Sequence, residues 1–247
     1  MIGEMRSREK ENDDVRNRRE ITRITLFDRD YLSVRPIIRW LQDTAVGYAK
    51  GVFLDFGCGN KPYYPIFKSS IEKYIGADVT QNLDQSVDIL IGDDGILPLD
   101  NESVETVLST QVLEHVKEPQ RYLQELSRVL KPGGKLILTC PQSYMLHEEP
   151  YDYYRYTRYG VEYLLKKYQL QILQLDTAGG AWRLMGQIFL NHKIHGRKIN
   201  IPIISGIFYY LWVILSNVIF STLDKMNMNP KDTANYMIIA QKNQGSK

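Results

Sequence analysis

A short apolar stretch that ends in a glycine-rich turn constrains the fold of this 247-residue chain more than any other feature. Residues 52–56, with the sequence VFLDF, are apolar and partly β-branched, which is typical of a buried strand. Asp55 lies near the end of this segment, and the turn Gly57-Cys58-Gly59 follows it. Glycines at such a turn let the backbone approach a nucleotide-like ligand at the edge of an α/β sheet. The same pattern also occurs at strand–turn–helix corners that bind no ligand, so on its own it leaves both interpretations open.

Two more apolar segments that end in acidic residues follow the glycine-rich turn. Residues 74–79 (YIGADV) contain Asp78 near their end, where α/β nucleotide-binding folds place a carboxylate that binds ribose hydroxyls. Residues 87–94 (VDILIGDD) form the third such segment. Lys61 stands where a dinucleotide fingerprint requires another small residue, which argues against a pyrophosphate site. The three acid-ended strands therefore predict a ligand with a cationic or hydroxyl-rich body and no phosphates.

This order of motifs resembles the class I S-adenosylmethionine-dependent methyltransferases, and in particular their type 11 branch. The resemblance covers Gly51 to about Pro141 closely and continues more loosely beyond. Two positions depart from the family pattern: Lys61 replaces the third small residue of the first motif, and Glu105 stands where the family usually has Asp. The motifs that carry the resemblance are residues 54–59 (LDFGCG), Asp78, Gly92-Asp93 with Leu97-Pro98, residues 110–115 (TQVLEH) and residues 130–134 (LKPGG).

The resemblance implies that S-adenosylmethionine is the cofactor, and it implies a role for each matching residue. Asp55 would stand near the methionine amine, Asp78 would bind the ribose hydroxyls, and Asp93 would bind the adenine amine. Glycines of the first motif would make room for the methionine tail. The full set of implied cofactor-binding residues is Asp55, Gly57, Cys58, Gly59, Asp78, Val79, Asp93, Asp94, Thr110 and Gln111.

Alternation of strand and helix patterns predicts an α/β fold with a doubly wound, mostly parallel seven-stranded sheet, the Rossmann-like methyltransferase fold. The resemblance implies that the seventh strand is antiparallel to its neighbours. A helix opened by Ser33 and Pro36 is expected to precede the first strand. Further strands are expected at residues 104–109, 135–140, 169–177 and 234–241, and further helices at 65–73, 118–130 and 159–168.

The segment after the fifth predicted strand is polar and rich in tyrosine. Residues 147–157 (HEEPYDYYRYT) leave the sheet at its carboxyl edge, where such folds bind their substrates. His147 is the first candidate for a general base by residue type and position, and Glu148 is the second. Tyr151, Tyr154 and Arg155 are candidates for binding the methyl acceptor. The alternative is a surface loop whose tyrosines only pack on the domain.

Composition limits the partners that this chain is expected to have. The net charge of +2 does not call for nucleic acid, and the acids of the charged arm at residues 1–20 balance its bases. We expect this arm to be flexible and residues 21–247 to form the methyltransferase domain. Cys58 and Cys140 are too few for a metal site, and no metal is expected. The N-terminus lacks the apolar core of a signal peptide, so the expected location is cytoplasmic.

A hydrophobic helical insertion is expected between strands six and seven, at residues 178–233. A basic cluster at 192–198 precedes an uncharged run at 199–223. Because strands six and seven must join one sheet, a single membrane span is disfavoured. A helix lying on an anionic membrane surface through residues 193–223 fits this pattern. A helix buried within the domain or in a homodimer contact is the alternative.

The nature of the methyl acceptor follows from this insertion. An apolar wall beside the predicted site suggests a small-molecule or lipid-like acceptor, such as a lipid, a quinone-like ring or a lipid-linked glycan. A peripheral position on the inner membrane face would accompany it. The alternatives are a soluble small-molecule or sugar methyltransferase, and a non-catalytic module that only binds S-adenosylmethionine.

Overall fold

A computed structural model describes residues 21–195 and 203–244. The predicted arm at residues 1–20 and the basic residues Arg197 and Lys198 lie outside the described residues. Seven strands form one sheet in the order β3-β2-β1-β4-β5-β7-β6. β7 pairs antiparallel with β5 and β6, and the other pairs are parallel. The strands are β1 Val52–Phe56, β2 Lys73–Asp78, β3 Ile89–Leu90, β4 Val104–Thr110, β5 Leu130–Pro141, β6 Leu170–Thr177 and β7 Asn235–Lys242.

The doubly wound, mostly parallel sheet that the sequence predicts is therefore confirmed. The strand order reverses between β1 and β4, and open α/β sheets bind their ligands in the crevice at such a switch point. Helices cover both faces of the sheet. They are α1 Tyr31–Asp43, α2 Tyr64–Phe67, α3 Pro119–Val129, α4 Arg158–Lys167, α5 Ala181–His195 and α6 Ile203–Met226.

Side chains that alternate along the central strands separate the core into two layers. Leu54 of β1 and Val107 of β4 join one apolar cluster with Leu123 and Leu126 of α3. Their neighbours Phe53 and Leu108 join the cluster on the other face, against α1. This alternation follows from the two-residue period of a strand, so each central strand supports both helical layers.

Three predicted elements differ in extent from those in the structure. The helix expected at 65–73 is the four-residue α2, and β5 begins at Leu130 instead of 135, with an irregular register opposite Val104 and Thr106. The third strand is only Ile89–Leu90. Just before it, Asp88 bonds twice to Gly76 of β2: its backbone N–H donates to the Gly76 carbonyl at 2.9 Å, and its carboxylate accepts from the Gly76 N–H at 2.7 Å.

The segment between β6 and β7 forms a pair of helices, α5 and α6, that packs on α1. Leu32 of α1, Leu190 of α5 and Val213 of α6 are fully buried in a small cluster of their own. The buried Asp224 of α6 accepts a 3.0 Å hydrogen bond from the backbone N–H of Gly180, which ties the end of α6 to the start of α5. Among the residues that the structure describes, no helix has both the length and the apolarity needed to cross a bilayer.

Candidate active site

A cavity of about 350 Å³ opens at the carboxyl edge of the sheet, beside the switch point. The segments after β1, β2, β4 and β5 form its walls, and Ser33, Val34 and Ile37 of α1 close one side. Asn235, at the start of the antiparallel β7, also lines it. A cavity of this size and mixed polarity is typical of a small-molecule site.

The glycine turn after β1 and the end of β2 form one wall of the cavity. Gly57 and Gly59 have φ angles of 76° and 49°, in the left-handed region that glycine adopts without strain. The backbone N–H of Gly59 donates to Oδ2 of Asp78 at 2.8 Å. The N–H groups of Gly57 and Cys58 both donate to the carbonyl of Ala77. The turn is therefore held against β2. Because neither glycine has a side chain, the backbone itself lines the cavity at these two positions.

Asp55 lies beneath this wall and does not line the cavity. It is 1% exposed, and its Oδ2 accepts a hydrogen bond from the hydroxyl of Tyr74 on β2. Among the residues that the structure describes, its Oδ1 has no hydrogen-bond partner. Burial raises the pKa of Asp55 to about 7, while the Tyr74 hydroxyl opposes that rise. The side chain points to the same sheet face as Phe53, because residues two apart on a strand share a face.

Lys61 has a structural place that accounts for this departure from the family motif. Its Nζ pairs with Oδ2 of Asp88 at 2.6 Å and lies 5.7 Å from the ring centre of Tyr74. Gly76 lies directly under the lysine stem, where a Cβ would overlap with Lys61 Cε. The ion pair therefore connects the turn after β1 to the residue before β3 and passes over Gly76 of β2.

Seven of the ten predicted cofactor-binding residues line the cavity and three do not. Asp93 and Asp94 are exposed in the turn after β3, where Asp94 Oδ1 accepts from the backbone N–H of Ile96 at 3.1 Å. Asp55 is the third residue outside. Burial raises the pKa of the Cys58 thiol, so this side chain is a neutral part of the lining. The seven lining residues are Gly57, Cys58, Gly59, Asp78, Val79, Thr110 and Gln111.

The tyrosine-rich segment contributes to the cavity through its first two residues. His147 and Glu148 line the cavity, whereas Tyr151, Tyr154 and Arg155 do not. Arg155 instead forms two 2.6 Å contacts with the Asp152 carboxylate, which hold the pKa of Asp152 at about 2 against the opposing effect of burial. The Tyr154 hydroxyl donates to the carbonyl of Lys117 at 3.2 Å. These contacts show that Arg155 and Tyr154 stabilise the conformation of the segment. Their roles in binding an acceptor stay predictions.

Sequence reasoning assigned no role to Glu114, His115 or Tyr144, which meet at the same end of the cavity. His115 and Tyr144 line it. The centre of the His147 ring lies 4.8 Å from that of His115 and 5.4 Å from that of Tyr144. Glu114 is fully buried behind them, and burial raises the pKa of its carboxyl to about 8. The signal in the sequence for this site is a Glu-His pair four residues after the end of β4.

Comparisons with known proteins agree with this geometry. Residues 54–138 match the profile of a family described as a methyltransferase domain. A probable S-adenosylmethionine-dependent methyltransferase of Mycolicibacterium smegmatis is 30% identical over 95 residues, which cover 36% of this chain and 37% of the relative. A demethylmenaquinone methyltransferase of Renibacterium salmoninarum is 30% identical over 136 residues, covering 51% of this chain and 55% of the relative. The chain spans between 16% and 55% of the length of the curated relatives that it matches.

Solved structures share the fold across most of the chain. The [4+2]-cyclase SpnF superposes with a TM-score of 0.55 at 20% identity, covering 86% of this chain and 83% of the cyclase. At this identity the likeness concerns the fold alone. The matched family profile and the methyltransferase relatives indicate the reaction class, methyl transfer, which the fold does not specify. Residues 54–138 thus carry a methyltransferase domain, and the resemblance to the class I, S-adenosylmethionine-dependent type 11 branch is confirmed.

Proposed function

We propose that this protein transfers a methyl group from S-adenosylmethionine to a lipid-like or quinone-like acceptor at a membrane surface. One observation carries the proposal. One cavity is lined both by seven of the predicted cofactor residues and by His147 and Glu148, and Tyr144 of the same lining is linked through Asp30 to Gln187 of α5.

The residues along the cofactor wall fit S-adenosylmethionine. Asp78 offers a carboxylate that is held by the Gly59 N–H and suits two neighbouring hydroxyls. Val79, Ile91 and Val112 offer apolar side chains suited to an aromatic ring. When bound, this cofactor supplies an electrophilic methyl group on a sulfonium, so the remaining task of the chain is to position a nucleophile in line with it.

The acceptor end offers two groups that can take a proton. His147 and Glu148 both line the cavity, and either would serve as the base that an oxygen nucleophile needs. The Asp152 carboxylate accepts a 3.0 Å hydrogen bond from the backbone N–H of His147, so the position of the histidine is fixed by the same ion pair that shapes the segment. This arrangement supports a role for His147 in contact with the acceptor.

An exposed apolar face on α6 supports a lipid-like acceptor. We call it the α6 face, formed by the exposed side chains Phe208, Leu211, Leu215, Val218 and Ile219. Their spacing of three and four residues puts them on one side of α6. A contiguous exposed face of this kind marks a surface for another molecule.

Hydrogen bonds connect the helix pair to the cavity wall. Asp30, at the start of α1, accepts from the Tyr144 hydroxyl at 3.4 Å and from Gln187 of α5 at 3.3 Å. Tyr144 itself lines the cavity. The demethylmenaquinone methyltransferases among the relatives are consistent with an acceptor of this class.

Methyl transfer to fractionated cell extracts tests the proposal. The purified chain is first titrated with S-adenosylmethionine by calorimetry and then incubated with the methyl-labelled cofactor and either a lipid extract or a water-soluble extract. Label in the lipid fraction is expected, with Asp78→Ala as the inactive control. Label only in the soluble fraction would support a soluble small-molecule or sugar acceptor instead. Cofactor binding without any transfer would support a non-catalytic binding module, and failure to bind the cofactor would contradict the proposal.

A further inference from the structure

Three side chains with metal-binding atoms converge at the acceptor end of the cavity. Glu114 and His115 lie in the 3-10 turn that follows β4, and His147 lies in the segment after β5. One ligand atom of each side chain lies within 4.8 Å of those of the other two. The rings of His115 and His147 meet edge to face, with 4.8 Å between their centres. Two imidazoles and one carboxylate are a ligand set that divalent transition metals favour.

Glu114 is the strongest sign that a ligand belongs here. Its side chain is fully buried, and within the described structure neither carboxylate oxygen has a hydrogen-bond partner on another residue. A buried polar group without a partner costs free energy whether it is ionised or protonated. The nearest cationic candidate, Nε2 of His115, lies 3.9 Å from Oε1 of Glu114, which is too far for a hydrogen bond. A bound cation between these atoms would satisfy the carboxylate.

One ring nitrogen of each histidine lies against a backbone carbonyl. Nδ1 of His115 lies 2.9 Å from the carbonyl oxygen of Tyr151, and Nδ1 of His147 lies 3.2 Å from the carbonyl oxygen of Met145. A carbonyl can only accept, so each Nδ1 donates its proton, and in a neutral imidazole this leaves the Nε2 lone pair available to a metal. Metal-binding histidines almost always donate their other ring N–H to a carbonyl or carboxylate in this way.

The distances suit an ion after a small closure. Ligands of a tetrahedral ion with bonds of about 2.1 Å lie roughly 3.4 Å apart. The three atoms lie within 4.8 Å of one another, so binding would draw them together by up to about 1.4 Å, a movement within reach of side-chain rotation. Three protein ligands leave a fourth position open, which is typical of catalytic rather than structural metal sites.

We propose that Glu114, His115 and His147 bind one divalent transition-metal ion, of the zinc or manganese type, at the acceptor end of the cavity. This departs from the expectation that no metal is bound, because that expectation counted cysteines alone. If the proposed methyltransferase function holds, the open position of the ion would take an oxygen of the acceptor. His147 would then be a ligand, and Glu148 would remain as the candidate base.

Metal titration of the full chain tests this site. The untagged protein is stripped with a chelator and titrated by calorimetry with Zn²⁺, and separately with Mn²⁺ and Mg²⁺. One Zn²⁺ per chain is expected, bound more tightly than Mg²⁺, which prefers oxygen ligands. Glu114→Gln and His147→Gln should each weaken Zn²⁺ binding by at least about tenfold, since even the loss of a supporting contact has an effect of that size. His192→Ala, which removes an exposed histidine of α5, should bind Zn²⁺ like the wild type.

The outcomes separate this site from the proposed methyl transfer. Each sample is also titrated with the demethylated cofactor. Cofactor binding without Zn²⁺ binding overturns the metal site alone, and Zn²⁺ binding without cofactor binding overturns only the proposed function. Wild-type Zn²⁺ affinity in Glu114→Gln would also overturn the site. If that variant fails to fold, the visible spectrum of wild type loaded with Co²⁺ decides: a four- or five-coordinate spectrum supports the site, and one like that of aqueous Co²⁺ overturns it.

Discussion

The backbone N–H of Gly59 donates a 2.8 Å hydrogen bond to Oδ2 of Asp78, so the glycine turn after β1 and the carboxyl end of β2 form one continuous wall. The bond fixes the Asp78 carboxylate at the cavity while leaving it partly available to a ligand. Substituting Asp78 would therefore release the Gly59 N–H as well as remove the ligand contact.

Asp78→Ala should lower the affinity for S-adenosylmethionine about a hundredfold. The variant loses a two-pronged contact to hydroxyl groups, worth roughly 2–3 kcal/mol when the acceptor is charged. Calorimetric titration measures the change, and a thermal unfolding curve confirms that the variant is folded. Asp93→Ala is the comparison, because this strand-end acid is exposed and lies outside the cavity lining. A hundredfold loss in Asp93→Ala and none in Asp78→Ala would reverse the two roles.

Gly57→Ala should destabilise the protein more than Gly95→Ala, although both glycines have φ near 70°. Their φ angles are 76° and 70°, so alanine at either position incurs left-handed strain of about 1–2 kcal/mol. A Cβ at Gly57 would also overlap with Cγ2 of Val112, whereas a Cβ at Gly95 would meet nothing within 4 Å.

Chemical denaturation of these variants separates strain from overlap. The double variant Gly57→Ala with Val112→Ala should recover the excess loss over Gly95→Ala, because the overlapping methyl group is removed. Equal losses in both single variants would show that the turn can yield to a Cβ at Gly57.

Asp55→Asn should change how stability depends on pH. The folded-state pKa of Asp55 is raised to about 7 by burial, and Tyr74, Asp78 and Lys61 are the titratable or charged groups that act on it. Because the folded state holds this proton more tightly, its contribution to stability is complete below the unfolded pKa near 4 and is lost as pH rises through 7.

Urea unfolding between about pH 5 and pH 8 measures this effect. Up to about pH 7, the stability of wild type should fall relative to Asp55→Asn by at most about 1.4 kcal/mol per pH unit, and the difference should level off above that. Parallel curves for the two proteins across the whole range would contradict the raised pKa.

Glutamate on the α6 face should reduce binding to lipid vesicles. Apolar burial contributes about 25 cal/mol per Å² and is insensitive to salt, so Leu211→Glu with Leu215→Glu should remove the salt-resistant part of binding. Trp212 is a poorer choice, because its ring lies 4.9 Å from that of Phe189, centre to centre, and supports the helix pair. Tyr163→Glu, an exposed position on α4, is the matched control.

The basic cluster should contribute the salt-sensitive part of the same binding. Each basic residue near an anionic leaflet adds about 1 kcal/mol, an effect that fades within a Debye length of about 8 Å at physiological salt. Replacing Lys193, Arg197 and Lys198 by Glu should therefore weaken co-sedimentation with anionic vesicles and leave that with neutral vesicles unchanged. Wild-type protein that remains in the supernatant with both vesicle types would contradict membrane binding and favour a dimer contact at the α6 face.

Local patterns in the sequence were enough to predict the sheet, the glycine turn and the carboxylate of Asp78. Each depends on residues close together in the chain: the two-residue period of a strand, the conformational freedom of glycine, and an acid at a strand end. Strand and helix boundaries were less predictable, because they depend on contacts with neighbouring strands, such as the Gly76 N–H that the Asp88 side chain binds just before β3.

Only the tertiary structure decided which polar side chains face the cavity and which are used within the protein. Asp55 is buried under Tyr74, Lys61 pairs with Asp88, and Arg155 is held by Asp152. The cluster of Glu114 and His115 with His147 joins residues more than 30 positions apart, brought together because β4 and β5 are parallel neighbours whose carboxyl ends meet. The sequence by itself determined which side chains end each strand, whereas their orientation and partners depend on how strands and loops that are distant in the sequence pack against one another.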